Sequence, residues 1–443
     1  MKRIDYMNTT HKTKIEEKSM QEPNEHKPGY QKTKLGWIPE GWEVVKLNNI
    51  ADINPSKSKI KNEEILVSFV GMADVSNEGK LINSTSKKFK EIKNGFTPFE
   101  NGDILIAKIT PCFENGKGLL ANNLINGKGF GSTEFHVVRV HEDISTEYIY
   151  YHTQSYRLRK TGERNMTGTA GQKRVPKDFI KNYKVPLPPF PEQQKIAQIL
   201  STWDRAIEQT EKLIEKKQRL KKGLMQQLFK GKMRFEEFKT NTDLQNTKIG
   251  LVPKDWETKK ASEIFENVSI KNNDGDEELL SATQEYGVVP RNILESKVTM
   301  PNGNLKSFKL VEKGDFVISL RTFQGGIEYS FYRGLVSPAY TVLKEKLPID
   351  KDFYRHFFKT KDFISRLASS VIGIRDGKQI NYSDFKLMKI IYPSVEEQKK
   401  VGEILNGIEK EIQFWKIYND KLKQQKKGLM QKLLTGKIRV KTN

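Results

Sequence analysis

EQQKIAQILSTWDRAIEQTEKLIEKKQRLKKGLMQQLFKGKMRF, residues 192–235, returns without a gap as EQKKVGEILNGIEKEIQFWKIYNDKLKQQKKGLMQKLLTGKIRV, residues 397–440. Seventeen of the 44 paired positions are identical, more than an ungapped chance pairing yields. Within the first copy the apolar residues Ile196, Leu200, Trp203, Ile207 and Ile214 fall at steps of three, four and seven, a narrow seam on one face of a helix. The second copy carries Val401, Leu405, Ile408, Ile412, Trp415 and Leu422 along the same kind of seam. Glu, Gln and Lys fill the other faces, which favours helix and solvent. Pro191 suits a first helical turn, where a missing N–H costs nothing. Gly223 and Gly428 are expected to interrupt each helix late. Roughly 35 residues at about 1.5 Å each make a rod of about 50 Å. So long a helix with so thin a stripe needs a partner, and the other copy supplies one. An ordinary amphipathic core helix is the alternative reading; the spacer is preferred.

Working outward, 443 residues suffice for two or more domains. Lys and Arg number 77 against 55 acidic residues, a net charge of +22 spread along the chain. Such an excess suits a polyanionic partner, most simply nucleic acid, though a Lys-rich soluble surface has the same composition. The single cysteine, Cys112, excludes an intramolecular disulfide framework and a cysteine-based zinc site. No apolar run reaches membrane-spanning length and no signal-peptide pattern opens the chain, so the expectation is a cytoplasmic protein with no membrane partner.

Residues 1–30 are polar and aperiodic and read as a flexible tail. LGWIPEGWE (Leu35–Glu43) then returns as IGLVPKDWE (Ile249–Glu257), each with a proline turn and a tryptophan three residues on, Trp42 and Trp256. Structural anchoring is the better reading of these tryptophans. Asn101-Gly102-Asp103 leads into ILIAKI and Lys313-Gly314-Asp315 into FVISLR, both turn-then-strand signals. FHVVRV (Phe135–Val140) and YTVLK (Tyr340–Lys344) follow as strands. An aromatic-rich helix from Glu147, EYIYYHTQSYRLRK, is answered by DFYRHFFKTKDFISR from Asp352. Gly-rich loops follow, Met166–Val175 and Val371–Ile380. The expected fold is therefore α+β. Two α/β domains, 31–190 and 236–390, are separated by helical segments 191–235 and 391–443.

Catalytic patterns are scarce. The six histidines show no HExxH spacing, no GxxxxGK[ST] occurs, and no GxSxG is present. LPPF (Leu187–Phe190) mimics the Asn/Asp-Pro-Pro-aromatic motif of amino-methyltransferases, but Leu187 stands where an acceptor for the target amine is needed. Glu91-Ile92-Lys93 is half a nuclease motif without further carboxylates. The expectation is a chain with no catalytic residues, no metal and no cofactor of its own. Nucleic-acid reading is easier to support. The loops after the two Gly-Asp strands carry Lys108 and Thr110, then Arg321, Thr322 and Gln324. The Gly-rich loops carry Gln172, Lys173 and Arg174, then Arg375, Lys378 and Gln379. Arg and Lys pair with guanine O6/N7, Gln with adenine N6/N7, and glycines let backbone N–H groups approach phosphates. A loop of Gly, Gln and Arg is also a common solvated loop.

The two WIPEGW-like motifs, the two Gly-Asp strands and the two PEQQKIAQIL…KKGLMQ segments together resemble the DNA-specificity (S) subunit of Type I restriction–modification systems. The likeness spans nearly the whole chain; only YPSVEEQ, in place of PLPPFPEQQ, departs from it. The resemblance implies two target-recognition domains, Lys34–Lys184 and Ile249–Lys389, each reading half of a gapped, asymmetric site in double-stranded DNA. It implies two helical segments packed as an antiparallel coiled coil, relating the halves by pseudo-twofold symmetry, which set the gap and dock two methyltransferase (M) subunits, with motor–nuclease (R) subunits joining. S-adenosylmethionine and ATP/Mg would then belong to those partners. The competing reading is a coiled-coil scaffold whose globes bind protein or RNA.

Overall fold

The computed structural model describes residues 27–56, 60–169, 171–241, 243–271, 277–294, 305–320, 322–369 and 380–442. Two helices dominate, Phe190–Leu228 and Val395–Leu434, of 39 and 40 residues. Neither is interrupted at glycine. Gly223 and Gly428 lie inside their helices with open space around them. Each costs about 1 kcal/mol against alanine, and the Leu, Met, Gln and Lys around them carry the helix through.

The chain divides into two compact units, Met1–Arg205 with Lys423–Asn443, and Ala206–Leu422. Each unit holds one stretch of each long helix, and in each the two stretches run antiparallel. In the first, Lys426 Nζ meets Asp204 Oδ1 at 2.5 Å. In the second, Lys217 pairs with Glu411 at 2.5 Å and Lys221 with Glu409 at 2.7 Å, one number rising as the other falls. The repeat offset of 205 carries Asp204–Lys426 onto Glu409–Lys221, so the internal repeat extends to individual ion pairs. Of the seam residues, Ile207, Ile214, Ile412 and Leu422 are buried, while Trp203, Ile408 and Trp415 are half-buried. Ile196 and Leu200 instead join the first unit's core, and Val401 and Leu405 the second's. The continuous seam thus has two duties, because the ends of a helix this long meet sheet and short helices before they meet another helix. Buried Thr210 and Asn419 add a polar element to it that the apolar spacing does not reveal.

In the first unit an antiparallel sheet orders Ala51–Ile53, Phe135–Val140, Ile104–Ala107 and Gly118–Leu120 side by side, with Phe135 opposite Ala107 and Val138 opposite Ile104. A second sheet, Thr85–Lys88, Leu66–Val70, Lys128–Gly131 and Thr97–Glu100, contains one parallel pairing, Phe130 opposite Phe69. The second unit repeats the first sheet as Phe265–Val268, Thr341–Glu345, Phe316–Ile318 and Glu328–Tyr329. In place of the second sheet it has two-stranded ribbons, Leu280–Thr283 with Gly287–Pro290 and Lys309–Val311 with Gly334–Val336. The Gly-Asp turns enter the sheets as expected. Gly102 and Gly314 have φ of +87° and +98°, and Asp103 and Asp315 accept the N–H of Glu100 and Glu312 at 2.7 and 2.8 Å.

The aromatic helix expected from Glu147 is two helices, Thr146–Gln154 and Tyr156–Arg164. Ser155 ends the first, donating to His152 O at 2.6 Å, and caps the second, accepting from Leu158 N at 3.3 Å. Thr360 does the same between Lys351–Phe357 and Lys361–Ser369. The two tryptophans are anchors. Trp42 and Trp256 are buried, and their indole N–H groups donate to Glu192 at 3.1 Å and Glu397 at 2.9 Å. Arg439 and Arg234, again 205 apart, each grip the same carboxylate. Arg439 comes from the chain's last residues, so segment 423–442 completes the first unit as the residues after the central helix complete the second.

Candidate nucleic-acid interface

Five of the residues expected at a recognition surface meet in the first unit. Beyond Ala107 the chain continues extended, and Ile109 bridges Arg174 while Arg174 bridges Thr167. Thr110 N donates to Lys173 O at 2.9 Å, and Val175 N to Lys108 O at 2.8 Å. Lys108, Thr110, Gln172, Lys173 and Arg174 therefore share one two-loop ledge, although more than 60 residues separate the loops. Gln172 and Lys173 are exposed, and Lys108 and Thr110 are half-buried. Arg174 is not free. Its guanidinium holds Glu134 through Nε and Nη2 at 3.0 and 2.9 Å, and Gln172 O through Nη1 at 3.0 Å. That pairing pulls the Glu134 carboxyl below its usual range and raises Arg174. Arg174 thus braces the ledge, leaving Lys108, Gln172 and Lys173 as its outward groups.

The ledge has a rigid back. Buried His136 donates from Nε2 to Val175 O at 2.8 Å, with Nδ1 3.3 Å from Asn54 Nδ2. Burial lowers its pKa, and a carbonyl accepts only from an N–H, so the ring is the neutral Nε2–H tautomer. The loop after Thr110 is coiled on itself: Phe113 N donates to Ile109 O, Asn115 N to Pro111 O and Lys117 N to Cys112 O. The Thr110 hydroxyl bonds the Glu114 carboxylate.

The second unit is built differently. Arg321, Arg375, Lys378 and Gln379 lie outside the described residues. Thr322, expected at the surface, is buried; its hydroxyl accepts Ser319 N at 2.7 Å and closes the turn after the strand. A threonine after a strand end serves as a local cap as readily as a contact, and here the cap wins. Gln324 is exposed on the short helix Thr322–Gly325, within 3.5 Å of Gln284 Nε2. Below it Lys359 donates to Gly325 O at 2.9 Å and to Glu328 at 2.7 Å. Burial pushes the Glu328 carboxyl up to about 7, against the pull of Lys359. Sequence reading missed Glu134, Glu328 and Lys359 because their partners lie 31 to 40 positions away, beyond the reach of any local spacing rule.

With the geometry in place, comparison with known proteins gives one answer. The family model for the Type I restriction modification DNA specificity domain matches twice, at residues 39–218 and 253–424. The MjaVIII specificity subunit of Methanocaldococcus jannaschii is 28% identical over 429 residues, covering 91% of this chain and 94% of that one. The EcoAI specificity subunit of Escherichia coli is 41% identical over 194 residues, which are 42% of this chain. The chain spans only about a third of the EcoAI subunit's length and less of the EcoEI subunit's. Among solved structures, an S subunit of a Type I restriction–modification system from M. genitalium shares the fold at TM-score 0.52 and 18% identity, covering 89% of this chain and 96% of that one. A chain from a structure on complex assembly and conformational transition of a type I R-M system gives TM-score 0.55 at 16% identity, covering 90% and 99%. No described helix is long and apolar enough to cross a membrane.

Proposed function

The chain belongs to the family of Type I restriction modification DNA specificity domains, and from that premise we propose that it is the DNA sequence-recognition subunit of a Type I restriction–modification complex. Each unit reads one half of a bipartite, gapped site in double-stranded DNA. The observation that carries this is the first unit's ledge, where two distant loops present Lys108, Gln172 and Lys173 from a backbone braced by Arg174 and His136. Lysines on such a ledge neutralise phosphates and supply salt-dependent affinity, while glutamine and lysine can select adenine and guanine edges. The duplication at the level of ion pairs supports two readers of unlike sequence in like frames.

In this reading the chain performs no catalysis. Two methyltransferase subunits dock on the long helices and carry S-adenosylmethionine; motor–nuclease subunits carry ATP and Mg. The helices set the gap. The subunit works in the cytoplasm.

The experiment is selection from random-sequence duplexes by the full chain co-expressed with its methyltransferase subunits. Two enriched blocks separated by a constant unselected stretch are expected. Retention of duplexes without sequence preference would instead make the chain a scaffold. Removing matching heptads from both helices shortens them by about 10 Å and should shift the gap by about three base pairs. An unchanged gap would remove the spacer role.

A further inference from the structure

The loop that leaves the ledge, Ile109–Lys117, rejoins the sheet where Ala107 N donates to Lys117 O at 3.1 Å, and between its ends it exposes Pro111 and Asn115. Loops of this kind are mobile by default, yet base selection needs side chains held within about 0.5 Å. One side chain behind it answers that need. Arg159, on the helix Tyr156–Arg164, is buried at 6% exposure. Its Nη1 donates to Phe113 O at 3.1 Å and Lys117 O at 3.3 Å, and its Nη2 to Gly116 O at 3.2 Å. Its Nε donates to Thr153 O at 2.9 Å, tying the group to the preceding helix, and its guanidinium lies 4.9 Å from the centre of the Phe113 ring. No carboxylate appears among these partners. A cation held by carbonyls alone is an expensive way to fill a core, and a Leu or Met would fill the same space at lower electrostatic cost. What an apolar residue could not do is hold three carbonyls of one irregular loop at once. The packing leaves little slack: a Cβ on Gly118 would lie 2.5 Å from Leu105 O and 3.3 Å from Arg159 Nη2.

Resting on the DNA-recognition reading above, we propose that Arg159 is the positioning residue of the first reader, holding the Ile109–Lys117 loop whose Thr110 N–H bonds Lys173 O and so sets the ledge that presents Lys108, Gln172 and Lys173, and that Lys359 has this part in the second. Lys359 reaches the turn bearing Gln324 from the residue just before the helix cap Thr360, whereas Arg159 lies four residues after the cap Ser155. Each reader therefore holds its loop by a cation from the same helical junction, placed independently. Fixing the loop beforehand removes an ordering cost that would otherwise fall on binding. The Arg159 charge, directly behind the loop, also adds to the field that a phosphate backbone meets.

The test repeats the duplex selection with the full complex carrying wild type, R159Q, R159K or K359Q. R159Q should reduce base preference by about tenfold or more in one block only, leaving the other block and the gap intact. R159K, which keeps the charge but not the fork of donors, should relax the same block partially. K359Q should relax the opposite block. A wild type that selects, with R159Q and R159K selecting identically to it, overturns the role of Arg159 and leaves the recognition function standing. A wild type that selects nothing removes the function itself and this role with it. Should R159Q abolish cooperative melting, R159K decides: relaxation confined to one block supports the role, and an effect in both blocks or neither overturns it.

Discussion

The frame and the loops of this protein are duplicated to different depths. The frame repeats contact by contact. Trp42, Glu192 and Arg439 form in the first unit the cluster that Trp256, Glu397 and Arg234 form in the second. Ser145 N finds Gln193 as Asp350 N finds Gln398, each at 2.9 Å. The loops share only a task. One is held by an arginine fork on carbonyls, the other by a lysine shared between a carbonyl and a buried glutamate. Duplication therefore constrains the frame and leaves the loops free to differ.

The largest effect should come from breaking the frame where it is most buried. Arg234 is 5% exposed and Glu397 3%, so E397A strands an arginine edge and the Trp256 N–H; Asp255 still pairs Arg234 Nη1 at 2.6 Å, and the second unit should lose about 2–4 kcal/mol. E192A should cost the first unit less, about 1–3 kcal/mol, because Arg439 is 48% exposed and can turn to water. Chemical denaturation followed by hydrogen exchange in each unit measures both, and equal losses would contradict the difference in burial.

Next is a pH effect confined to the second unit. The Glu328 carboxyl titrates near 7 in the folded chain against an ordinary 4.5, so the folded state binds the extra proton between these values. Its stabilisation is complete below about 4.5 and is lost as pH rises through about 7. Relative to E328Q, the wild type should lose about 3 kcal/mol across that window. The comparison with E328Q cancels the opposite trend of His356, which burial holds neutral with a pKa of about 4. Parallel stability curves for the two proteins would show that Glu328 is not buried as described.

Smaller still, G231A and G436A should destabilise their units by similar amounts, about 1–3 kcal/mol each. Both glycines have positive φ, 65° and 69°, and a Cβ would fall 2.3 Å from Pro253 and 2.2 Å from Pro39 respectively. Unequal melting shifts would mean that the two clusters are less alike than their contacts. Smallest is N419L. Asn419 Oδ1 is buried with no hydrogen-bond partner among the described residues, and its repeat counterpart is the apolar Ile214. Leucine should stabilise the helix pair by about 1 kcal/mol, read as a rise in melting temperature; a fall would mean that the amide is satisfied in solution.

Much of this was legible in sequence for reasons that are local. A three-four seam is written into neighbouring residues of one helix, and Gly102 and Gly314 announce turns that need positive φ. The constant offset of 205 writes the internal repeat into the sequence itself. The junctions at Ser155 and Thr360 were hidden because aromatic-rich, helix-compatible sequence runs through both, and only the hydroxyl caps break it. At the ledge, Lys108, Gln172 and Lys173 could be proposed from loop chemistry. Arg174's engagement with Glu134 and the place of Arg159 under the loop could not, since these contacts join residues 40 or more apart. Thr322 shows the same limit in reverse, a polar loop residue turned inward to cap its own turn.

The central claim is that this chain directs sequence-specific recognition of DNA in two parts, and single-molecule sequencing of the source cell's methylome, with the gene intact and deleted, tests it most directly. The account predicts that one gapped motif, methylated on adenine in both strands, disappears with the gene. A methylome identical in both cells, with the partner subunits expressed, would contradict it.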